Sequence, residues 1–195
     1  MARPDRLSLP GRILFLTDDL DLLKKQLAGD DLEGTPDVDA LMDNISTDEI
    51  TPGWVCFYYD ETLGEFSRVG LRGGQFERNT LKDGGFSVIV SGKSKGCGSS
   101  RETAPYSEMT AGVQLVIAES IEKIYGQNCQ NIGLLTSTDF GLIDRIRAGE
   151  SIPIEEFTKG LDAISAEIVR QGGLFAYNRA RMAGELSPAL PETAK

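Results

Sequence analysis

Residues 96–102 bring together, in one short segment, groups that could bind and act on an anionic substrate. Their sequence is Gly96-Cys97-Gly98-Ser99-Ser100-Arg101-Glu102. The apolar residues 86–90 predict a buried strand before this motif, and residues 104–112 predict a short helix after it. Free amides at a helix N-terminus attract anions, and an arginine can bind a carboxylate through two parallel hydrogen bonds. The same residues are also compatible with a glycine-rich turn whose serines cap the helix.

Two nucleotide-binding patterns are not matched here. Gly92-Lys93-Ser94 resembles the end of a phosphate-binding loop, but Ser87 stands where that pattern requires a glycine. A dinucleotide-binding pattern read from Gly96 and Gly98 needs a third glycine where Arg101 stands. The sequence therefore gives little support for nucleotide binding.

The composition of the 195 residues restricts both the partners and the chemistry. The net charge of −10 argues against a general binder of nucleic acid or of an anionic membrane, since both need a basic surface. The chain has no histidine, which removes Ser-His-Asp and Cys-His catalysis and histidine-ligated metal. Cys56, Cys97 and Cys129 form no close pair, so we expect no disulfide framework, no metal site and a reducing cytoplasm. The apolar run 13–16 is too short for a signal core or a membrane span.

Strands that alternate with helices predict an α/β layered domain. We expect strands over 12–17, 54–59, 86–90 and 114–118, and helices over 19–27, 104–112, from 121, over 140–146 and over 161–169. Residues 1–10 are expected to be a flexible leader, 11–185 a single domain, and 186–195 a disordered tail.

Two separate motifs resemble those of one known family. Residues 43–52, Asp43-Asn44-Ile45-Ser46-Thr47-Asp48-Glu49-Ile50-Thr51-Pro52, are similar to the DNIDTDxIIP signature of the aconitase/isopropylmalate isomerase family. Residues 96–102 match its GCGSSRE motif, and residues 172–177 are similar to its C-terminal GGLxxY element. The resemblance extends over 11–16 and 43–181. It implies a swivelling β/β/α domain of the aconitase C-terminal or isopropylmalate isomerase small-subunit type.

The resemblance also implies a reaction and a partner. In this family a small hydroxy-carboxylic acid is isomerised by dehydration and rehydration, and a 4Fe-4S cluster on a large subunit acts as the Lewis acid. The first serine of the GSSRE motif is the base, which places that role on Ser99 and the binding of a substrate carboxylate on Ser100 and Arg101. Four further residues are expected to support the site: Asp43, Ser46, Gly98 and Glu102. For the first two of these, ordinary loop capping is the alternative.

The segment after the first motif is where this family reads the variable group of its substrate. Here it consists of Val55, Cys56, Phe57 and Tyr58, and it carries no positive charge. Since burying an unpaired carboxylate is costly, we predict an alkyl- or aryl-malate such as 3-isopropylmalate rather than citrate. The alternative is that these side chains only form a core strand.

Two features depart from the family pattern. Thr103 stands where the family usually has histidine after the glutamate. Residues 18–42 are an insertion relative to typical small subunits, and we expect them to be available for packing on a partner.

Other functions are compatible with the same motifs. The chain could be a non-catalytic swivel module that binds carboxylates, or an aconitase- or homoaconitase-type subunit with a different substrate. It could also be one domain of a longer fused enzyme.

Overall fold

The fold is built on a parallel sheet that is covered on both faces. The computed structural model describes residues 2–58 and 60–186. The sheet strands are β2 (Arg12–Phe15), β3 (Phe86–Ser91), β4 (Leu115–Ala118) and β5 (Leu135–Ser137), in that spatial order. Ile13 lies opposite Val88, which lies opposite Leu115. The two remaining strands, β1 (Arg6–Leu7) and β6 (Ile152–Pro153), form an antiparallel ribbon.

Each face of the sheet packs against its own hydrophobic cluster because successive strand residues point to opposite sides. Leu14 and Ile89 face a cluster that includes Leu23, Ile50 and Tyr125. Their neighbours Phe15 and Val88 face a second cluster, with Leu142, Ile143, Ile152 and Phe157. Near-continuous apolar runs such as 86–90 are typical of strands buried in this way.

Helices connect and cover the strands. They are α1 (Leu20–Ala28), α2 (Thr47–Ile50), α3 (Thr62–Glu65), α4 (Thr80–Asp83), α5 (Thr103–Thr110), α6 (Lys123–Ile132), α7 (Gly141–Arg147), α8 (Ala163–Gln171) and α9 (Leu174–Met182). Short 3₁₀ helices lie at Val38–Ala40, Gly53–Phe57 and Ile154–Phe157. In the described parts of the chain, no helix is long and apolar enough to cross a membrane.

Residues 2–10 differ from the flexible leader that we expected. Arg6–Leu7 pairs with Ile152–Pro153, and Leu9 is buried. The Arg3 amide donates to Arg170 O at 2.9 Å, and its guanidinium donates to Gly133 O. These backbone and side-chain bonds hold the segment against the body of the protein. The expected disordered tail, apart from Leu186, lies outside the described residues.

Residues 18–42, the expected insertion, pack on the chain's own sheet. Asp19 caps α1 and Gly29 ends it in the left-handed conformation. Gln26 is fully buried, and its side-chain amide exchanges two hydrogen bonds with the backbone of Phe15, at 2.8 and 2.9 Å. Because β2 is an edge strand, this amide satisfies backbone groups that would otherwise lack a strand partner.

The aromatic run 54–59 does not form the expected strand. Residues Gly53–Phe57 form a 3₁₀ helix that follows Pro52, and Tyr59 lies outside the described residues. Only Val55 of this helix is buried, whereas Trp54 and Phe57 are exposed. The alternative of a core strand is therefore wrong for the part that is described.

Candidate active site

Three chain segments lie side by side just beyond the carboxyl ends of β2, β3 and β4. The Gly92 amide donates to Met42 O at 2.9 Å, and the Gly96 amide donates to Ile45 O at 2.8 Å. The Thr47 amide donates back to Cys97 O at 2.9 Å. Residues 42–47 thus run parallel to residues 92–97 and bring the two sequence motifs together. Lys95 joins the third segment, with its amide bonded to Ser120 O at 3.0 Å.

Asp43 fastens the first motif to the second. Its Oδ1 accepts a hydrogen bond from the Lys93 amide at 2.5 Å. A Cβ atom at Gly92 would overlap this carboxylate, so only glycine leaves room for it. The contacts of Asp43 therefore show loop positioning, and its proposed support of the site acts through the backbone.

Ser46 begins α2 with a capping box. Ser46 Oγ accepts from the Glu49 amide at 3.2 Å, while Glu49 Oε2 accepts from the Ser46 amide at 2.8 Å. Arg72 Nε donates to Glu49 Oε1 at 2.8 Å. Burial favours the neutral carboxyl, but the bonds from Ser46 and Arg72 outweigh it and hold the pKa of Glu49 below its ordinary value. The capping interpretation of Ser46 is correct, and it keeps α2 in place beside Ser99.

Ser99 is exposed, and its side chain lies beside a buried hydroxyl. Thr47 Oγ1 donates to Ser99 O at 3.0 Å and lies 3.3 Å from Ser99 Oγ. Thr47 is the first residue of α2 and is 1% exposed, so the helix and the surrounding packing hold its side chain in place. Thr47, the neighbour of Ser46, therefore makes the direct contact with Ser99. The sequence alone did not predict this role for Thr47.

The backbone around Ser99 offers unused donors. Gly98 has a φ of +93°, a conformation that favours glycine, and it turns the chain out of the paired segments. Among the described residues, the amides of 99–103 have no acceptor. They lead into α5, whose N-terminus adds positive potential. Such an array can bind a carboxylate or stabilise an oxyanion.

Arg101 is oriented by residues of the first motif. Arg101 Nη1 forms an ion pair with Asp48 Oδ1 and also donates to Thr51 O at 3.2 Å. Both acceptors belong to the first motif. Contacts between the two motifs therefore fix the position of the guanidinium. Glu102 is exposed at the start of α5. Ser100 is exposed beside Ser99.

The four residues expected to read the substrate occupy different environments. Val55 is fully buried and cannot line an open pocket, so that expectation is wrong for Val55. Cys56 Sγ lies 3.3 Å from the hydroxyl of Thr103, which links this segment to the start of α5. Phe57 is 82% exposed and Tyr58 is 40% exposed.

Trp54 and Tyr58 make an aromatic surface around Phe66. Tyr58 stacks on Phe66 with ring centroids 5.4 Å apart, and Trp54 meets the same ring edge-on at 5.3 Å. We call Trp54, Phe57 and Tyr58 the aromatic ledge. Exposed aromatic groups of this kind are enriched at interfaces.

The residues that the structure describes do not fit an iron–sulfur cluster. In 2–58 and 60–186, no three His, Cys, Asp or Glu side chains lie close enough to hold a metal ion. Cluster ligation needs several thiolates together. Burial, together with the nearby Glu49 and Glu122 carboxylates, raises the pKa of Cys97. Burial raises the pKa of Cys129 even further.

The site faces outward and is not enclosed. A cavity of about 430 Å³ lies between α6, β5 and residues 156–161, and it includes none of residues 43–58 or 92–103. Gly98, Ser99 and Ser100 are all exposed. A substrate bound at Ser99 would need a second surface to exclude water.

Comparisons with known proteins agree with the two motifs. The sequence model of the family described as Aconitase C-terminal domain matches residues 75–138. The isopropylmalate/citramalate isomerase small subunit of Methanocaldococcus jannaschii is 33% identical over 155 residues, which are 72% of this chain and 90% of that protein. The 3-isopropylmalate dehydratase small subunit of Nitratidesulfovibrio vulgaris is 34% identical over 158 residues, which are 73% and 92% of the two chains.

A solved structure shares the fold. The crystal structure of 3-isopropylmalate dehydratase from Methanocaldococcus jannaschii superposes with a TM-score of 0.53 and 28% sequence identity. The superposition covers 73% of this chain and 91% of that chain. The predicted α/β fold of the swivel type is confirmed.

Proposed function

The chain belongs to the family of 3-isopropylmalate dehydratase small subunits, as the two motifs indicated, and from this premise we propose that it is the small subunit of a hydro-lyase that isomerises an alkyl-substituted malate. The observation that carries the proposal is the position of Ser99. Its hydroxyl lies beside Thr47, at the head of a row of unused amides, next to an arginine fixed by Asp48.

In this proposal Ser99 is the base. Its oxygen removes the proton from the substrate carbon next to a carboxylate. A serine oxyanion is unfavourable in water, so it needs donors placed in advance. The unused amides around Ser99 and the positive end of α5 supply them.

Ser100 and Arg101 bind the carboxylate beside the reacting carbon. Removal of the proton spreads negative charge onto that carboxylate, so these donors become more effective as the reaction proceeds. With Nη1 held by Asp48 and Thr51, the outer side of the guanidinium stays available for the substrate. Asp43 and Ser46 act by fixing the surrounding backbone, and the Glu102 carboxylate complements the start of α5.

The other half of the site belongs to a large subunit. The outward-facing serines and the aromatic ledge beside them support a partner that closes over this surface. A 4Fe-4S cluster on that partner would supply the Lewis acid for departure of the substrate hydroxyl. No part of this role falls on Cys56, Cys97 or Cys129.

We assign an alkyl-malate as substrate, of which 3-isopropylmalate is the first choice. Cys56, Phe57 and Tyr58 form the accessible part of the segment after the first motif, and none carries a positive charge. A third carboxylate placed there would have no counter-charge from these residues. The relatives named above act on isopropylmalate and, in one case, citramalate, and both are alkyl-substituted malates.

The test is to purify the chain from its native cells without oxygen, through an affinity tag, and assay what co-purifies. We expect a larger, brown protein with iron–sulfur absorbance, and dehydration of 3-isopropylmalate seen as ultraviolet absorbance of the unsaturated product. Citrate should react far more slowly. A colourless, solitary chain that binds malates without turnover would overturn the proposal in favour of a carboxylate-binding module.

A further inference from the structure

A network of charged side chains is buried behind the Ser99 loop. It consists of Arg68, Lys95, Glu108 and Tyr125, each at most 1% exposed. Glu108 Oε1 accepts from Lys95 Nζ at 2.8 Å and from Arg68 Nη2, while Oε2 accepts from the Tyr125 hydroxyl. One carboxylate thus collects three donors from three different segments of the chain.

Each of these segments also touches the candidate site. Lys95 directly precedes Gly96, and Glu108 lies on α5, which begins just after Arg101. The Arg68 amide donates to Ile50 O at 2.7 Å, at the end of the helix that carries Thr47. The Tyr125 ring lies so close to Gly96 that a Cβ atom there would overlap it. The network therefore connects every element that positions Ser99.

Stability alone does not account for this network. Buried ion pairs are often no more stabilising than apolar side chains of similar volume, because the ions lose their hydration. Here two cations share one carboxylate, and Arg68 Nε and Nη1 have no acceptor among the described residues. Hydrogen bonds are directional, so they fix the relative position of the groups that they join. An apolar core of the same volume would not provide this positioning.

We propose that Glu108 and Lys95 are positioning residues, which hold residues 96–101 in register with α2 and α5 so that Ser99 stays beside Thr47. They do not touch the substrate and act through the backbone of the loop. The effect on turnover rests on the proposed function, whereas the effect on the loop does not.

The ionic state agrees with this role at neutral pH. Burial and the neighbouring Arg68 lower the pKa of Lys95 to about 8, while Glu108 opposes that shift. Burial disfavours the Glu108 carboxylate, but Lys95 and Arg68 outweigh it and hold its pKa below the ordinary value.

The test replaces the network by apolar side chains in the full chain: Arg68→Met, Lys95→Met and Glu108→Leu together. The matched control is the surface network around Arg145 of α7, with Arg145→Met, Glu150→Leu and Glu156→Leu, which likewise replaces three charged side chains by apolar ones. Hydrogen exchange of the Gly96 and Thr47 amides reports the register of the loop. In the assembled enzyme, kcat and KM are measured separately.

We expect a folded core variant whose Gly96 and Thr47 amides exchange at least about tenfold faster than in the control. Its kcat should fall by about tenfold or more with KM within about threefold, because Arg101 keeps its bonds to Asp48 and Thr51 while the alignment of Ser99 is lost. Exchange and kcat within twofold of the control would overturn the proposal, since an apolar core would then serve equally well.

A milder variant keeps the proposal testable if the triple variant does not fold. Tyr125→Phe removes one donor to Glu108 with almost no change of volume. It should accelerate exchange of the Gly96 amide by about threefold, and unchanged exchange would overturn the proposal. If the wild-type pair shows no hydro-lyase activity, the proposed function fails while the exchange result still decides this inference.

Discussion

At the scale of single residues, the proposed chemistry depends on short polar contacts around Ser99. Thr47 is buried and joins the first motif to the second through its hydroxyl. Asp48 and Thr51 fix the orientation of the Arg101 guanidinium. The first motif therefore prepares the groups that the second motif presents, and a change in either should affect both.

Glu49 gives a prediction about pH at this scale. Glu49→Gln keeps the capping-box acceptor but removes the charge that pairs with Arg72, so we expect a loss of roughly 1 kcal/mol in the free energy of unfolding at about pH 7. The folded-state pKa of Glu49 lies below its ordinary value of 4.5. Its stabilisation is therefore present above that value and is lost as the pH falls through the folded-state pKa.

Urea unfolding of both proteins at several pH values measures this difference. The gap between wild type and variant should be largest near neutrality and shrink as the pH falls below the ordinary pKa of 4.5. A gap that stayed constant over this range would show that the charge of Glu49 does not stabilise the fold.

At the scale of elements, the site exists because three segments extend the parallel order of the sheet beyond its strands. Residues 42–47, 92–97 and 119–122 are linked by backbone bonds after the strands have ended. Loops at the carboxyl edge of a parallel sheet are where such folds place their chemistry. Glycines allow the close approach of these segments.

Gly96 tests the fit between these elements. Gly96→Ala places a Cβ atom in the Tyr125 ring at a φ of +82°, so we expect a loss of about 3 kcal/mol or more in the free energy of unfolding. Gly29→Ala is the matched control. It has a φ of +118° but open space around the new atom, so only about 1 kcal/mol of backbone strain should result.

Chemical denaturation of the two variants separates strain from overlap. If Gly29→Ala and Gly96→Ala lose equal stability, the packing of the loop on α6 is not the constraint that we infer.

Elements with a strong local signal were predicted well from the sequence. The buried apolar runs of β3 and β4 were predicted correctly, and so was α1, with Asp19 before it and Gly29 after it. The aromatic run after Pro52 was predicted wrongly, because strand propensity reports packing on a sheet and this segment packs only Val55. Helix α9 was not predicted, because Gly172-Gly173 interrupts the helical pattern between α8 and the residues that follow.

The candidate site shows the same limit. Ser99, Arg101 and the loop role of Ser46 were accessible from motif resemblance. The contact of Thr47 with Ser99 and the pairing of Arg101 with Asp48 depend on the register between distant segments, which no local pattern encodes. The buried network of Lys95 and Glu108 was not foreseen, because charged residues are almost always on the surface.

At the scale of the whole molecule, the proposed site is one half of a reaction site. The serines, Arg101 and the aromatic ledge all lie on surfaces that solvent reaches. A base that must work away from water needs a second surface to cover it. The proposed large subunit supplies that surface.

The aromatic ledge can be tested as part of the contact with the large subunit. Phe57→Ser should change the free energy of unfolding by no more than about 0.5 kcal/mol, because the ring is 82% exposed. The Kd for the large subunit should rise by about tenfold or more, as expected for an aromatic anchor at an interface. Phe175→Ser on α9 is the matched control, since that ring is 76% exposed and α9 packs on α6 and α8.

Titration calorimetry with the large subunit measures both affinities. Equal Kd values for the two variants would mean that the aromatic ledge lies outside the contact.

We propose Ser99 as the base of an assembled hydro-lyase, and kcat of the Ser99→Ala enzyme is the direct test of that role. The variant should assemble normally and bind 3-isopropylmalate with KM within a few-fold of wild type. Its kcat should fall by about 10²- to 10⁴-fold, the usual contribution of a positioned base. Ser8→Ala, at an exposed serine before β2, should leave kcat unchanged. A Ser99→Ala enzyme that kept kcat within about threefold of wild type would contradict the claim.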